Sequence, residues 1–153
     1  MKRNLFFILL IGIAFTSCKK DSKDTTVANT GQFSINGTTY KFTDMLWSDN
    51  GTSTIYYRIE SFDLGNNEIV IQIPNKTVGD YNFSDPKVDM TDVSVDLTIG
   101  SDIYNSVTGT GKVTITKSDN NVVVGTFTGK FTNKTVTVDA SGSFTANKFS
   151  VTL

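Results

Sequence analysis

The chain of 153 residues is mildly acidic, with 14 lysine and arginine residues against 15 aspartate and glutamate residues, and it contains one cysteine and no histidine. The missing histidines exclude histidine-based catalytic triads and histidine metal sites, and a lone cysteine excludes a disulfide within the chain. The acidic balance argues against nucleic acid as a partner, because nucleic acid is bound by basic faces.

The first 17 residues have the composition of a secretory signal peptide. Lys2 and Arg3 give a positively charged start, and the apolar run LFFILLIGIAF follows at residues 5–15. This order is typical of a secretory leader. The run is about half of the ~20 residues that span a bilayer, so we expect residues 1–17 to be removed and no transmembrane helix to remain.

The only cysteine, Cys18, follows the leader in the string FTSCKK. The string resembles the lipobox of bacterial lipoproteins, in which the cysteine is acylated and becomes the first residue of the mature chain. Each buried CH₂ contributes about 0.8 kcal/mol, so two or three acyl chains hold a protein durably at a membrane. We therefore predict lipidation at Cys18, with the membrane as a partner through the acyl chains. The alternative is a stray thiol in a discarded leader.

Residues 19–30, KKDSKDTTVANT, contain no aromatic residue and only one large apolar residue, which predicts a flexible tether. The start of this segment resembles the lysine-rich and acidic stretch that follows the lipidated cysteine in many Bacteroidetes lipoproteins. That resemblance implies an outer-membrane lipoprotein facing the cell surface, whereas a merely solvated linker would fit the periplasmic face as well. Asp24-Thr25-Thr26 also resembles the O-glycosylation sequon of that phylum, with Thr25 as the modified residue.

Residues 31–153 have the length of one domain and the composition of a β protein. Threonine, valine, isoleucine, phenylalanine and tyrosine supply most of the bulk, whereas leucine and alanine are scarce. The chain thus divides into the leader (1–17), the lipidated cysteine with its tether (18–30) and a single all-β domain (31–153). Alternating polar and apolar residues predict strand segments at 32–35, 38–43, 54–62, 68–73, 77–83, 92–99, 103–107, 112–117, 122–131, 135–139 and 142–153.

Turn signals separate these segments at short intervals. Asn36-Gly37 is the strongest of them and predicts a type I′ hairpin, and Pro74 ends the strand before it. In the last segment the apolar positions change from even to odd numbers, which predicts a bulge near Asn147-Lys148. The whole pattern predicts an antiparallel β-sandwich of about 8–10 strands, with a closed lipocalin-like barrel as the alternative.

Four aspartates lie close together in the sequence, at Asp85, Asp89, Asp92 and Asp96. Such a group suggests a hard-cation site or the carboxylate pair of a glycosidase. However, Asp92 and Asp96 share the polar side of a predicted strand, and the spacing of a calcium-binding loop is missing. We therefore interpret them as solvated charges at a strand edge, and we expect no metal site.

Three aromatic residues are candidates for stacking on a ligand. Trp47 lies in the predicted polar loop 44–53, and Tyr56 and Tyr104 are expected to point away from the core. Aromatic faces among polar side chains are suited to stacking on sugar rings. The alternative for Trp47 is that it plugs one end of the sandwich or barrel.

The string GTGKVTITKSDNNVVVGTFTGKFTNKTVTVDASGSF, residues 109–144, resembles the C-terminal signature of a family of small, uncharacterised Bacteroidetes lipoproteins. FSINGTTYKF at 33–42 and IQIPN at 71–75 resemble the start and middle of the same family. The matched motifs are strand and turn positions, and the family offers no catalytic or binding residues to transfer. The resemblance therefore implies a fold and a location only.

These observations favour a lipid-anchored envelope protein that binds or adheres to a glycan or a protein and is not an enzyme. We expect no cofactor. The first alternative is a structural or accessory envelope protein without a small ligand. The second alternative is a hydrolase that uses carboxylates, because no histidine is present to serve as acid or base.

Overall fold

The computed structural model describes residues 28–49, 57–63, 65–84, 92–134 and 136–149. These parts of the chain contain eleven strands and no helix, so within them no helix is long and apolar enough to cross a membrane. The predicted all-β fold is confirmed. The strands are β1 Gly31–Ile35, β2 Thr38–Phe42, β3 Leu46–Asp49, β4 Tyr57–Phe62, β5 Glu68–Ile73, β6 Gly79–Asn82, β7 Ser94–Ile99, β8 Asp102–Ser106, β9 Lys112–Ser118, β10 Val122–Asn133 and β11 Val136–Lys148.

The strands form one hydrogen-bonded sheet in the order β2-β1-β11-β3-β4-β5-β7-β8-β10-β9-β6, with a further pairing between β11 and β10. The pairings are antiparallel except for a short parallel one between β11 and β3. This order is not sequential along the chain, whereas an up-and-down lipocalin barrel pairs its strands in sequence. The arrangement is therefore sandwich-like.

The long hairpin of β10 and β11 joins the two sides of this sandwich. The first part of β10 pairs with β9, and Phe131 and Thr132 near its end pair with β8. In β11, residues 140–144 pair with β1, and Asn147 and Lys148 pair with β3. One side, the six-stranded layer, contains β2, β1, β11, β10, β9 and β6, and the five-stranded layer contains β3, β4, β5, β7 and β8.

Glycines on the inner side of the six-stranded layer make room for phenylalanine rings. Gly142 lies directly opposite Phe127, and Gly125 lies directly opposite Phe144. A Cβ on Gly142 would come within 2.4 Å of the Phe127 ring. Both rings are buried in the common core, whose fully buried large side chains are Phe33, Phe131, Met45, Ile59, Ile69, Ile71, Ile73, Leu97, Ile115, Val95, Val113 and Val123.

The first predicted hairpin is confirmed. β1 and β2 pair across Asn36-Gly37, and both turn residues have the positive φ that a type I′ turn requires, 50° and 79°. The alternation predicted for β5 is also confirmed, because Ile69, Ile71 and Ile73 are buried.

Three predictions about the strands are wrong. The predicted loop 44–53 contains β3, which pairs with β4 on one side and with β11 on the other. The segments 135–139 and 142–153 are joined through residues 140–141 in the single strand β11. Phe149 is 53 % exposed and so does not face the core, while Val151 and Leu153 lie outside the described residues. A register shift is found between β9 and β10 instead, where β9 has one extra residue, Thr116, opposite Val124 and Gly125.

Candidate functional site

Trp47 lies on β3 and is 2 % exposed, so the prediction that it stands in an open polar loop is wrong. Its indole Nε1–H donates a hydrogen bond of 3.2 Å to the carbonyl oxygen of Asn121. The Nζ atoms of Lys76 and Lys148 lie 4.2 and 5.5 Å from its ring centroid, and the ring of Tyr57 lies 5.8 Å away. The indole is therefore covered by the protein's own side chains, in agreement with the alternative that it plugs the sandwich.

Tyr104 also faces the core. It lies on β8 directly opposite the buried Leu97 of β7, and it is half-buried against the hydrophobic core. The prediction that it points away from the core is therefore wrong. Tyr56 lies outside the described residues, as do Cys18 and Thr25. The described structure thus brings no exposed aromatic cluster together from the predicted stacking residues.

Of the four aspartates that lie close together in the sequence, the structure describes only two, Asp92 and Asp96. Asp92 is 6 % exposed, so the prediction of a solvated charge is wrong there, while Asp85 and Asp89 lie outside the described residues. Asp96 is half-buried on the outer side of the five-stranded layer, and burial raises its pKa, with a further rise from the charge of Glu68. Among the described residues, no three histidine, cysteine, aspartate or glutamate side chains are grouped to hold a metal ion.

The outer side of the six-stranded layer is lined with polar side chains from distant parts of the chain. Because side chains alternate along each strand, residues directly opposite each other on neighbouring strands form rows across the sheet. The row that we call the hydroxyl row crosses all six strands over roughly 24 Å, at about 4.8 Å per strand. It consists of Thr39, Ser34, Ser141, Thr128, Lys112 and Asn82.

A parallel row lies beside the hydroxyl row, two residues further along each strand. It consists of Lys41, Gln32, Ser143, Thr126, Thr114 and Asp80. An open groove of about 560 Å³ extends along part of this second row, with Gln32, Lys41, Thr126 and Ser143 in its lining.

The hydroxyl row passes through a larger groove, the polar groove. It has a volume of about 620 Å³, and its lining includes Asn82, Thr110, Lys112, Thr128, Lys130 and Asp139 together with three glycines. A smaller groove of about 180 Å³ shares Thr128 and Asp139 with it and leads on to Ser34 and the Asn36-Gly37 turn. The two grooves therefore adjoin at Thr128 and Asp139, and together they form what we call the polar channel, which crosses five strands.

Two ion pairs flank the polar groove. Lys112 Nζ donates to Asp80 Oδ2 over 2.6 Å, and Lys130 Nζ donates to Asp139 Oδ1 over 3.1 Å. The bond from Lys112, and a second from the Thr114 hydroxyl, hold the pKa of Asp80 below its usual range. All four charged side chains are partly or largely exposed, so they remain accessible to a ligand.

The loop at one end of the groove is fixed by its own hydrogen bonds. The Thr110 hydroxyl donates to the carbonyl oxygen of Val107 over 2.6 Å and accepts from the backbone N–H of Lys130 over 3.3 Å. Gly109 has a φ of 72°, a conformation that glycine adopts without strain. The backbone of this loop thus keeps the groove wall in place next to Lys130.

The outer side of the five-stranded layer has a different character. Phe62 and Ile103 are 65 % and 53 % exposed, and they lie in one row with Glu68 and Thr98 between them. The ion pair of Arg58 with Glu60, 2.6 Å long, lies on the same side. This layer therefore presents scattered apolar side chains among mainly acidic charges.

Comparison of the chain with protein-family models, with curated proteins and with solved structures finds no match in any of the three. The resemblance to small Bacteroidetes lipoproteins therefore stays a prediction from the sequence motifs.

Proposed function

We propose that this protein is a non-catalytic binding module that holds an extended glycan in the polar channel across its six-stranded layer. Acyl chains on Cys18 anchor it in the outer membrane, where it faces the cell surface. The observation that carries this proposal is the row of polar side chains that runs through two adjoining grooves from Asn82 to Ser34.

The side chains of the hydroxyl row match the chemistry of a sugar polymer. Serine and threonine hydroxyls both donate and accept hydrogen bonds, as sugar hydroxyls do, and Asn82 and Lys112 add further donors. The channel is long and open, whereas a pocket for a small molecule buries most of its ligand. An extended polymer that lies across the strands therefore fits the channel better than a small free ligand.

The carboxylates at the channel favour binding over hydrolysis. Asp80 and Asp139 are each paired with a lysine, and hydrogen bonds to Asp80 stabilise its ionised form. A glycosidase needs one carboxylic acid whose pKa is raised so that it can donate a proton. Asp96 has a raised pKa but lies on the other layer.

The test is a glycan array probed with the mature chain, residues 18–153, carrying Cys18→Ser to leave out the acyl chains. The double variant Thr128→Val, Ser141→Ala removes two hydroxyls from the channel and leaves the strand pattern intact. Each hydrogen bond contributes about 0.5–1.5 kcal/mol, so the loss of two should weaken binding by roughly 5- to 150-fold. Thr98→Val, on the five-stranded layer, is the matched control and should bind normally.

Failure to bind any glycan, or an equal loss in the Thr98→Val control, would reject the glycan proposal. The anchor is tested separately by fractionation of cells and by protease treatment of intact cells. Cys18→Ala should release the protein from the membrane, and external protease should cleave the wild-type protein if it faces the surface.

A second candidate function, contact with a partner protein, is favoured by the exposed Phe62 and Ile103 on the five-stranded layer. The two side chains lie three strands apart, roughly 14 Å at about 4.8 Å per strand, so a partner that contacts both would also cover Glu68 and Thr98 between them. A photo-crosslinking residue at position 62 should then capture one defined protein on intact cells, and the same residue at position 134 should not. The absence of any crosslink specific to position 62 would reject this candidate.

A further inference from the structure

We propose that the polymer in the polar channel is an anionic glycan, and that Lys112 and Lys130 bind its carboxylate or sulfate groups. The inference rests on the proposed glycan-binding function and specifies the class of the ligand.

Charge is distributed unequally between the two outer faces. Lys41, Lys112, Lys117 and Lys130 lie on the outer side of the six-stranded layer, against Asp80 and Asp139 on its strands and Asp119 in the turn after β9. On the five-stranded layer the balance is reversed, because Arg58 lies among Glu60, Glu68 and Asp96. In a chain with a formal net charge of −1, the layer that carries the channel therefore has an excess of one lysine, and the lining of the polar groove itself contains two lysines and one aspartate.

The two groove lysines are placed to act together. Lys112 lies directly opposite Thr128, and Lys130 is two residues further along the same strand as Thr128. Such diagonal neighbours have Cα atoms roughly 7–8 Å apart, within reach of flexible lysine side chains. Both side chains line the same groove, with Lys112 directed toward Asp80 of β6 and Lys130 toward Asp139 of β11. Together they can therefore bind anionic groups at the two sides of the groove.

Each lysine keeps hydrogen-bonding capacity for a ligand. An ammonium group has three N–H donors, and the described contacts use one on Asp80 for Lys112 and one on Asp139 for Lys130. Exposed ion pairs of this kind contribute little to stability, so a ligand anion can share or replace the aspartate at little cost. A neutral glycan would leave these donors without a charged acceptor.

The test uses a matched pair of polymers, polygalacturonate and its methyl ester, which share a backbone and differ in charge. The mature chain should bind the acid form at least tenfold more tightly than the ester, and added salt should weaken this binding because it screens exposed charges. The double variant Lys112→Met, Lys130→Met keeps most of the aliphatic stems and should lose at least tenfold in affinity for the acid form.

Lys41→Met is the matched control, because Lys41 lies on the same layer in the second row, away from the polar groove. It should change the affinity less than twofold. Thermal unfolding of every variant separates a loss of binding from a loss of folding.

Equal binding of the acid and the ester, or an unchanged double lysine variant, would overturn the anionic-ligand inference and leave the glycan proposal standing. If neither polymer binds and the glycan array is also negative, the proposed function itself fails. An equal loss in Lys41→Met would overturn the assignment to the groove, since it would indicate a general effect of charge.

Discussion

Gly142 lies on the inner side of β11, and its replacement by alanine tests whether the packing of phenylalanine rings over glycines holds the six-stranded layer together. A Cβ at this position would lie 2.4 Å from Cε1 of Phe127 and 2.5 Å from the carbonyl oxygen of Gln32. Cβ atoms essentially never come closer than 3.0 Å to such neighbours. Something must therefore move when the methyl group is added.

Neither neighbour can move freely. The Phe127 ring is buried and packs edge-on against Phe131 at a centroid distance of 5.9 Å. Gln32 belongs to β1 and pairs with Ser143 of β11, so a shift of its backbone disturbs the ladder. Overpacking of this kind costs about 1–3 kcal/mol, while the reduced freedom of the unfolded chain returns about 0.4–1 kcal/mol. Because both distances are well below 3.0 Å, we expect the cost to lie at the upper end of its range and the net loss to be about 2 kcal/mol.

The assay is thermal unfolding followed by circular dichroism. A domain of roughly 120 residues has an unfolding entropy of about 2.1 cal/mol/K per residue, so 2 kcal/mol corresponds to a fall in Tm of about 8 °C. Gly65→Ala is the control, because its Cβ would meet only the side-chain ends of Asn67 and Asp63, at 3.1 and 3.2 Å. If Gly142→Ala melts within about 2 °C of that control, the packing argument is refuted.

Two further predictions concern Trp47 and Asp96. The fluorescence of Trp47, the only tryptophan, should resist acrylamide quenching and should not respond to glycans. Lys76→Met removes the contact between the ammonium group and the indole ring, so it should lower the free energy of unfolding in urea by about 0.5–1 kcal/mol. A glycan-sensitive emission would contradict the covered position of the indole. The pKa of Asp96 is raised because the folded state disfavours its ionised carboxylate. The protonated carboxyl group therefore contributes stability that is fully present below the ordinary pKa of 3.8 and is lost as the pH rises through the raised pKa. Asp96→Asn should therefore raise the urea midpoint at neutral pH and leave it unchanged well below the ordinary pKa, and an equal effect at both pH values would contradict the assignment.

Local signals in the sequence are sufficient to predict the turn at Asn36-Gly37 and the strand β5. The turn at Asn36-Gly37 needs two residues that tolerate positive φ, and few other pairs do so readily. The strand β5 shows strict alternation, with Ile69, Ile71 and Ile73 inside. In both cases the neighbouring residues alone contain the physical cause of the structure.

β3 could not be predicted in this way. Its sequence is only LWSD, and it lies between residues that read as a polar loop. Its strand conformation comes from pairing with β4 and with Asn147 and Lys148 of β11, which lie about a hundred residues away in sequence. The burial of Trp47 could not be predicted for the same reason, because the groups that contact its indole belong to three distant parts of the chain, at Lys76, Asn121 and Lys148.

The polar channel was also beyond the reach of sequence reasoning. Its hydroxyl row takes one residue from each of six strands whose spatial order differs from their order in the chain. Each member, such as Ser34 or Thr128, reads by itself as an ordinary solvent-facing residue. Only the register of the strands brings these positions into one row, and register is set by long-range pairing.

The alternation in β10 separates core residues from residues of the proposed binding surface within one stretch of seven residues. In GTFTGKF, residues 125–131, the odd-numbered residues face the core as glycines and phenylalanines, while Thr126, Thr128 and Lys130 lie on the outer side. Substitutions on the outer side change the proposed binding surface without creating a cavity or an overlap in the core. The same fold can therefore present different polar channels, so we expect stability and ligand binding to respond to different halves of this stretch.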